Sequence, residues 1–336
     1  MKPFFSSLLL SFTVIIGMPG CTTLQPSRMP GQEAPSSQYE AAIVDALTGQ
    51  SLSVPELARQ LNDADVVVVG EYHGHHASHL LQARLQQALF RQNARQILSM
   101  EQFNLDHQAD VEAYLAGRTG ETELIQDANA WENYAGSYRP LVEFARQNQL
   151  PVIAANAPAD IVRCVGRLGK EYLTTLPANQ RTTLPAQAFW GSPEYQEKFT
   201  STLSGSHGDA PEELSGHLLN TYQAQLLRDN TMAHRILLAR EESPGHQVLH
   251  TTGTFHSEQR LGTVEALKHR APELTIAVVS PVEWPSTEPD MRLADHRHRG
   301  DYLYFIQPRP PEFRNPDRER QAMQERFSRH RNVSCE

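Results

Sequence analysis

The chain has 336 residues, 39% hydrophobic and 21% charged, with a formal net charge of −9. That composition suits a globular protein with a sizeable core, and the length accommodates one elaborated domain or two. No basic face is visible, which argues against nucleic acid as a partner, because phosphate binding needs clustered lysine and arginine.

In chain order, the N-terminus is an address and not part of the fold. Lys2 precedes the apolar stretch Phe4 to Met18, which is too short for a spanning helix and suits the h-region of a signal peptide. It ends at "MPGCTT", where Gly20 stands directly before Cys21, similar to a bacterial lipobox whose cysteine is acylated. Met18 and Pro19 are looser than the usual residues there, so cleavage by an ordinary signal peptidase is the alternative. Residues 22–40 are polar and Pro-rich and are predicted to be a flexible tether. Thr22 in place of aspartate points such a lipoprotein to the outer membrane, facing the periplasm.

Short apolar runs then recur between helical stretches. "ADVVVVGE" (64–71), "RQILSMEQ" (95–102), "LPVIAANAP" (150–158), "HQVLHTTGTFH" (246–256) and "LTIAVVSPVE" (274–283) read as strands covered on both faces, since they lack clean alternation. "DYLYFIQ" (301–307) is a sixth, placed at an edge. Helical patterns occupy 78–93, 106–117, 138–149, 159–173 and 258–270. The alternation predicts an α/β fold over 41–307, a mostly parallel central sheet with helices on both faces. Residues 174–240 break the rhythm without a strand and read as a helical insertion over one end of the sheet. The tail, 308–336, is charged and Pro-rich and is expected to be loose. Cys164 and Cys335 have the means to pair in an oxidising compartment, but a buried thiol and a free tail thiol is the favoured reading.

The ends of these strands carry the chemistry. In an open parallel sheet, ligands sit beyond the carboxyl ends of the strands. Here the first strand runs out into Glu71 and His73, the second into Glu101, the third into Asn156 and the fourth into His256. Glutamate and histidine bind divalent metals and trade protons near neutral pH. Two ends share a Gly-x-x-His motif, "GEYH" (70–73) and "GTFH" (253–256), whose glycine is expected to permit a tight turn. His75, His76 and His79 read as an exposed polar group opening a helix, with His75 and His79 spaced for an adventitious metal. Asn156 either caps the next helix or lines the site, and Asp229 either reaches the pocket or stays solvated beside Gln225 and Met232.

The paired Gly-x-x-His motifs and the glutamate after the second strand resemble the superfamily that joins Tiki proteases, TraB-like proteins, erythromycin esterases and ChaN haem-uptake lipoproteins. "VVVVGEYHGHHASHLLQARLQQAL", "SMEQFNLDHQADVEAYLAG", "YRPLVEFARQNQLPVIAANAP", "QAQLLRDNTMA" and "HTTGTFHSEQRLGT" are similar to the ChaN branch. The resemblance implies non-covalent haem, an outer-membrane haem or iron receptor or transporter as partner, and a homodimer closing on a cofacial haem pair. It also implies a tyrosine ligand to ferric iron, for which Tyr134 and Tyr138 are the candidates with Trp131 stacking nearby, and a site completed by His73 and His256. The other branches imply a metal-dependent hydrolase, a peptidase or esterase using Mn or Co on Glu71, His73, Glu101 and His256. No Cys-x-x-Cys-His is present for covalent haem attachment.

Overall fold

The protein is seen in a computed structural model that describes residues 33–204, 214, 216–285, 291–329 and 334–335. The expected signal segment and Cys21 lie outside the described residues, as do residues 205–213 of the insertion. No helix among the described residues is long and apolar enough to cross a membrane.

Eight strands form one mixed sheet: β1 (Ala42–Asp45), β2 (Ser51–Leu52), β3 (Val66–Glu71), β4 (Gln96–Asn104), β5 (Val152–Asn156), β6 (Gln247–Gly253), β7 (Ile276–Glu283) and β8 (Tyr302–Ile306). Their order is β2-β1-β8-β7-β3-β6-β4-β5. Every pairing from β8 to β5 is parallel, and β1 runs antiparallel to both β8 and β2. The six strands expected from sequence are all present. The expected edge position of the 301–307 segment is corrected, because β8 lies between β7 and the short β1. β1 and β2 are four and two residues long, too short for a periodic signal.

All six residues of β3 are buried. Val67 and Val69 pack with α1 (Val54–Gln60), α2 (His76–Gln92), α3 (Gln108–Leu115), α4 (Glu121–Asp127), α5 (Tyr134–Ser137) and α6 (Arg139–Gln147). Beyond α7 (Ala159–Leu168), α8 (Ala178–Arg181) and α9 (Pro193–Ser204), the chain forms the long α10 (Gly216–Glu242) and then α11 (Thr263–Arg270). Val66 and Val68 pack on the opposite face with these last two. Each valine so buried contributes roughly 1.5 kcal/mol or more, which anchors the central strand despite its polar end. The free edge of β5 is covered by side chains: Gln108 accepts from Ala154 N at 2.8 Å and donates to Val152 O at 2.9 Å. This blunts a strand edge that would otherwise template pairing with another chain.

The tail is more ordered than its composition implied, because it forms α12 (Pro316–Arg329) and ends in a disulfide between Cys335 and Cys164 of α7. That corrects the expectation of two unpaired thiols; 171 residues separate the partners, so no local spacing announces the bridge. Closing so long a loop restricts the unfolded chain, and Cys335→Ser is expected to lower stability by about 2–4 kcal/mol in urea denaturation. Peptide mapping without reductant is expected to recover the linked Cys164–Cys335 peptides; free thiols at both positions would contradict the bridge.

Candidate functional site

The site grows from three adjacent strands, β3, β6 and β4. Side chains alternate along a strand, so Glu71, two residues beyond Val69, projects to the α2 and α6 face of the sheet. On β4, Leu98 and Met100 take that same face, which sends Glu101 to the α10 face. The two carboxylates thus leave neighbouring strand ends on opposite sides of the sheet.

Glu71 is 1% exposed, and donors surround it. Its Oε1 accepts from the Tyr138 hydroxyl at 2.6 Å, from His73 Nδ1 at 2.8 Å and from Gln102 Nε2 at 3.3 Å. Its Oε2 accepts from Gln82 Nε2 at 2.7 Å, with His79 Nδ1 at 3.5 Å. Burial alone would raise this carboxyl, but the His73 hydrogen bond, the His79 and His73 charges and the Tyr138 hydrogen bond together hold it below the ordinary value. His79 Nε2 accepts from Gly74 N at 3.1 Å, so its proton sits on Nδ1, facing Gln82 Oε1.

Glu101 is held by two donors on one oxygen and faces a histidine with the other. Its Oε2 accepts from Gly253 N at 2.6 Å and from Thr252 Oγ1 at 2.7 Å, and its Oε1 lies 3.5 Å from His256 Nε2. Burial works to raise it, yet His256, His73 and those two donors hold the carboxyl down to about 2. The other ring nitrogen of His256, Nδ1, stands 2.8 Å from Asp229 Oδ1. Asp229 is itself fixed by Tyr195 at 2.6 Å and by Thr263 at 2.9 Å. Burial opposes the His256 imidazolium, but Asp229 and then Glu101 outweigh it and raise its pKa. A buried relay results, Glu101–His256–Asp229.

His73 connects the two faces. A Cβ built on Gly253 would lie 2.8 Å from His73 Nε2 and 3.6 Å from Glu101 Oε2. The ring therefore lies across the end of β6, with Glu71 on its Nδ1 side and Glu101 near its Nε2 side. Its side chain is 46% exposed, the one part of the rim assembly open to solvent to this degree. Burial works against its imidazolium, but the Glu71 hydrogen bond and the Glu101 charge raise its pKa. The glycine's role differs from the expected tight turn: φ at Gly253 is −56°, which any residue adopts, and what the site needs there is the missing side chain.

The structure thus gathers Glu71, His73, Glu101 and His256 at one rim, as two couples joined over Gly253. It does not make of them a metal centre; no group of three or more histidine, cysteine or acidic residues among the described residues has the geometry to hold an ion. Most of the carboxylate oxygens are engaged by protein donors, while Glu101 Oε1 faces only His256 Nε2 at 3.5 Å. Tyr134 and Tyr138, the candidate haem ligands, are packed side chains in this structure. Both are fully buried, at 1% and 0% exposure; Tyr138 donates to Glu71, and burial raises both phenols far above the ordinary value. Trp131 meets His73 edge-on at 4.9 Å and Tyr138 at 5.8 Å, which places it beside the site.

Other assignments change as well. His75 and His79 are buried, not exposed: His75 caps α2 through Ala77 N and reaches Gln307 O at 2.8 Å. Only His76 of that trio is exposed, stacked on Tyr39. Asn156 turns the chain toward α7 through Ala157 N at 2.9 Å, and Met232 is core. Asp229, left open between pocket and solvent, is 1% exposed and in the relay, with Gln225 Nε2 3.0 Å from His256 Nδ1. Gln82, Gln102, Tyr195 and Thr263 had escaped notice. The available signal was amide or hydroxyl residues on otherwise apolar elements, where a buried polar group needs a partner.

The profile of the family described as haem-binding uptake, Tiki superfamily, ChaN matches residues 57–267. Among solved structures, one of cofacial heme binding to ChaN of Campylobacter jejuni superposes with a TM-score of 0.59 at 18% identity, covering 80% of this chain and 97% of that one. A Bacillus cereus protein gives a TM-score of 0.43 at 12% identity, covering 72% of this chain and 74% of that one. An erythromycin esterase mutant in its open conformation gives 0.43 at 12%, covering 84% and 86%. No curated protein sequence matches.

The relay gives a pH signature. Glu101, lowered from 4.5, contributes stability present above about 4.5 and lost as pH falls toward about 2. His256, raised above 6.5, contributes stability complete below 6.5 and lost as pH rises through its folded value. The stability advantage of the wild type over His256→Gln, read from denaturant melts, is therefore expected to be largest between these limits and to shrink above 6.5. An advantage unchanged from about pH 5 to about pH 9 would contradict the charged relay.

Proposed function

Because the chain belongs to the ChaN haem-binding uptake family of the Tiki superfamily, we propose that it is a lipid-anchored periplasmic protein that binds haem reversibly at the strand-end rim. It hands that haem to an outer-membrane receptor or transporter. The observation that carries the proposal is the family match over 57–267, which takes in the ends of β3, β4 and β6 where the polar rim is built.

The rim's chemistry fits the group. Haem supplies a ferric centre that takes an anionic oxygen or an imidazole nitrogen. His73 offers a half-exposed ring whose Nδ1 is held by Glu71 at 2.8 Å, the carboxylate-to-histidine arrangement that orients a ligating imidazole. Its neighbour Tyr72 is half-buried, with its hydroxyl 3.5 Å from Arg299 Nη1 and the Arg309 guanidinium 5.8 Å from its ring centre. These cations favour a phenolate, although burial leaves the phenol raised overall. Tyr72 therefore replaces Tyr134 and Tyr138 as the oxygen ligand in this proposal, with His73 beside it and Trp131 as an apolar wall. Cofacial binding between two copies, by analogy with the Campylobacter jejuni protein, belongs to the same proposal.

Two observations support the location. Gly20–Cys21 follows an apolar leader, and a Cys164–Cys335 bridge persists only where thiols are oxidised, as in the periplasm. Acylation at Cys21 then provides the anchor.

A hydrolytic reading keeps one support, His256 held between Glu101 and Asp229, which is a buried acid–base group. It would use that relay, since no group among the described residues has the geometry to hold a metal.

Titrating the purified full-length protein with hemin, followed by visible absorbance, is expected to give a saturable spectrum with roughly micromolar affinity. Tyr72→Phe is expected to change the ligand-field bands, and His73→Ala to weaken binding about 10- to 100-fold. Tyr138→Phe is expected to keep the spectrum. Absence of saturable binding would dismiss the haem reading, and ester or peptide turnover abolished by His256→Gln would install the hydrolytic one.

A further inference from the structure

The long helix α10 turns three polar residues toward the rim, Gln225, Arg228 and Asp229, which share a helical face at spacings of three and four. Gln225 and Asp229 are spoken for by His256 and Tyr195. Arg228 is not: its guanidinium forms no hydrogen bond and no ion pair among the described residues. The contrast with its neighbours is sharp. Arg235 binds Ala154 O and Gln108, Arg240 binds Asp65 and His246 O, and Arg270 binds Asn230, Gln187 O and Ala266 O.

Arg228 is also neither on the surface nor sealed. It is half-buried, and burial holds its pKa below the ordinary arginine value. The charges it faces are Glu101 and Asp229, with Arg163 of α7 opposing them. Neither acid forms a hydrogen bond or ion pair with it. Thr252, Gly253 and His256 take Glu101, while His256, Thr263 and Tyr195 take Asp229. A desolvated guanidinium with its planar fork of donors unspent is matched to a carboxylate bound two-pronged.

We propose that Arg228 is the anchor of a carboxylate-binding subsite at this rim, and that its occupant is a propionate group of the haem. The second clause rests on the haem reading above; the subsite itself does not. The helix neighbours of Arg228, Gln225 and Asp229, both reach His256, which meets Glu101 at 3.5 Å, and Glu101 acts on Arg228 and on His73 alike, so the anchor belongs to the same rim as the half-exposed ring. Arg228 then fixes which edge of the porphyrin enters, while the ligand at the Tyr72–His73 side holds the metal.

The full-length protein, wild type and Arg228→Gln, is titrated with hemin and with hemin dimethyl ester, in which both propionates are capped. Arg228→Gln is expected to weaken hemin about tenfold or more and to leave the ester's affinity unchanged. Arg228→Lys is expected to recover part of the loss, since it restores charge without the fork. A side chain kept for a ligand and unpaired in its absence is not a stabilising one, so the ligand-free Arg228→Gln protein is expected to melt no lower than wild type. Should hemin fail to bind the wild type, the haem reading falls. A rise in melting temperature with millimolar succinate, seen in wild type and absent in Arg228→Gln, would then still support the subsite. Equal hemin affinities for wild type and Arg228→Gln would overturn the proposal, as would a marked loss of ligand-free stability in the variant, which would make Arg228 a structural counter-charge.

Discussion

Two carboxylates buried on opposite faces of one sheet are the constraint from which this site follows. Glu71 and Glu101 sit at the ends of strands that flank β6, and each is at most 4% exposed. A buried carboxylate is tolerated only when its oxygens are hydrogen-bonded, and each lost donor costs about 1–3 kcal/mol. Much of the surrounding chain answers that demand. Gln82, Gln102, Tyr138 and His73 serve Glu71; Thr252, the Gly253 amide and His256 serve Glu101. The two shells meet only where β6 ends in a residue without a side chain, and there the His73 ring spans the sheet edge.

That arrangement accounts for much of why a rim so rich in metal-binding residue types forms no metal-holding group among the described residues. The protein engages most of the carboxylate oxygens with its own donors. What it leaves open is the outer face of His73, the Tyr72 ring between two arginines, and the unspent guanidinium of Arg228. On the proposed reading, these groups meet a large flat molecule with an acidic edge. The fixed inner shell gives that surface its rigidity, since both His73 and His256 have their orientation set by carboxylates that cannot move without losing several partners.

The sheet was legible because strands covered on both faces must be apolar along their whole length, and "VVVVGE" or "LTIAVVSPVE" has few other homes. The rim was legible for the complementary reason: a glutamate closing such a run needs partners, and Gly-x-x-His twice at strand ends names some of them. What stayed hidden depends on contacts across the chain. Tyr138 and Tyr134 looked available because "NYAGSY" reads as a polar connection, whereas α5 packs them against Glu71 and Phe103. β1 and β2 carry too few residues for periodicity, yet they turn β8 from an edge into an interior strand. The Cys164–Cys335 bridge and the Tyr195–Asp229 contact join segments that only the folded topology brings together. The role of Gly253 was legible as a need for glycine but not as to its cause, which is the width of an imidazole.

The crossing of His73 over Gly253 is the point at which the account is most exposed, and one substitution tests it. Gly253→Ala keeps an ordinary backbone conformation but places a methyl group 2.8 Å from His73 Nε2, so the ring must shift from its position over the strand end. Hemin titration of this variant, with circular dichroism to establish that it folds, is the direct measurement. A folded protein whose hemin affinity drops about tenfold or more is the expected result. A folded protein that binds hemin with the wild-type affinity and spectrum would contradict the claim that this junction is the binding site.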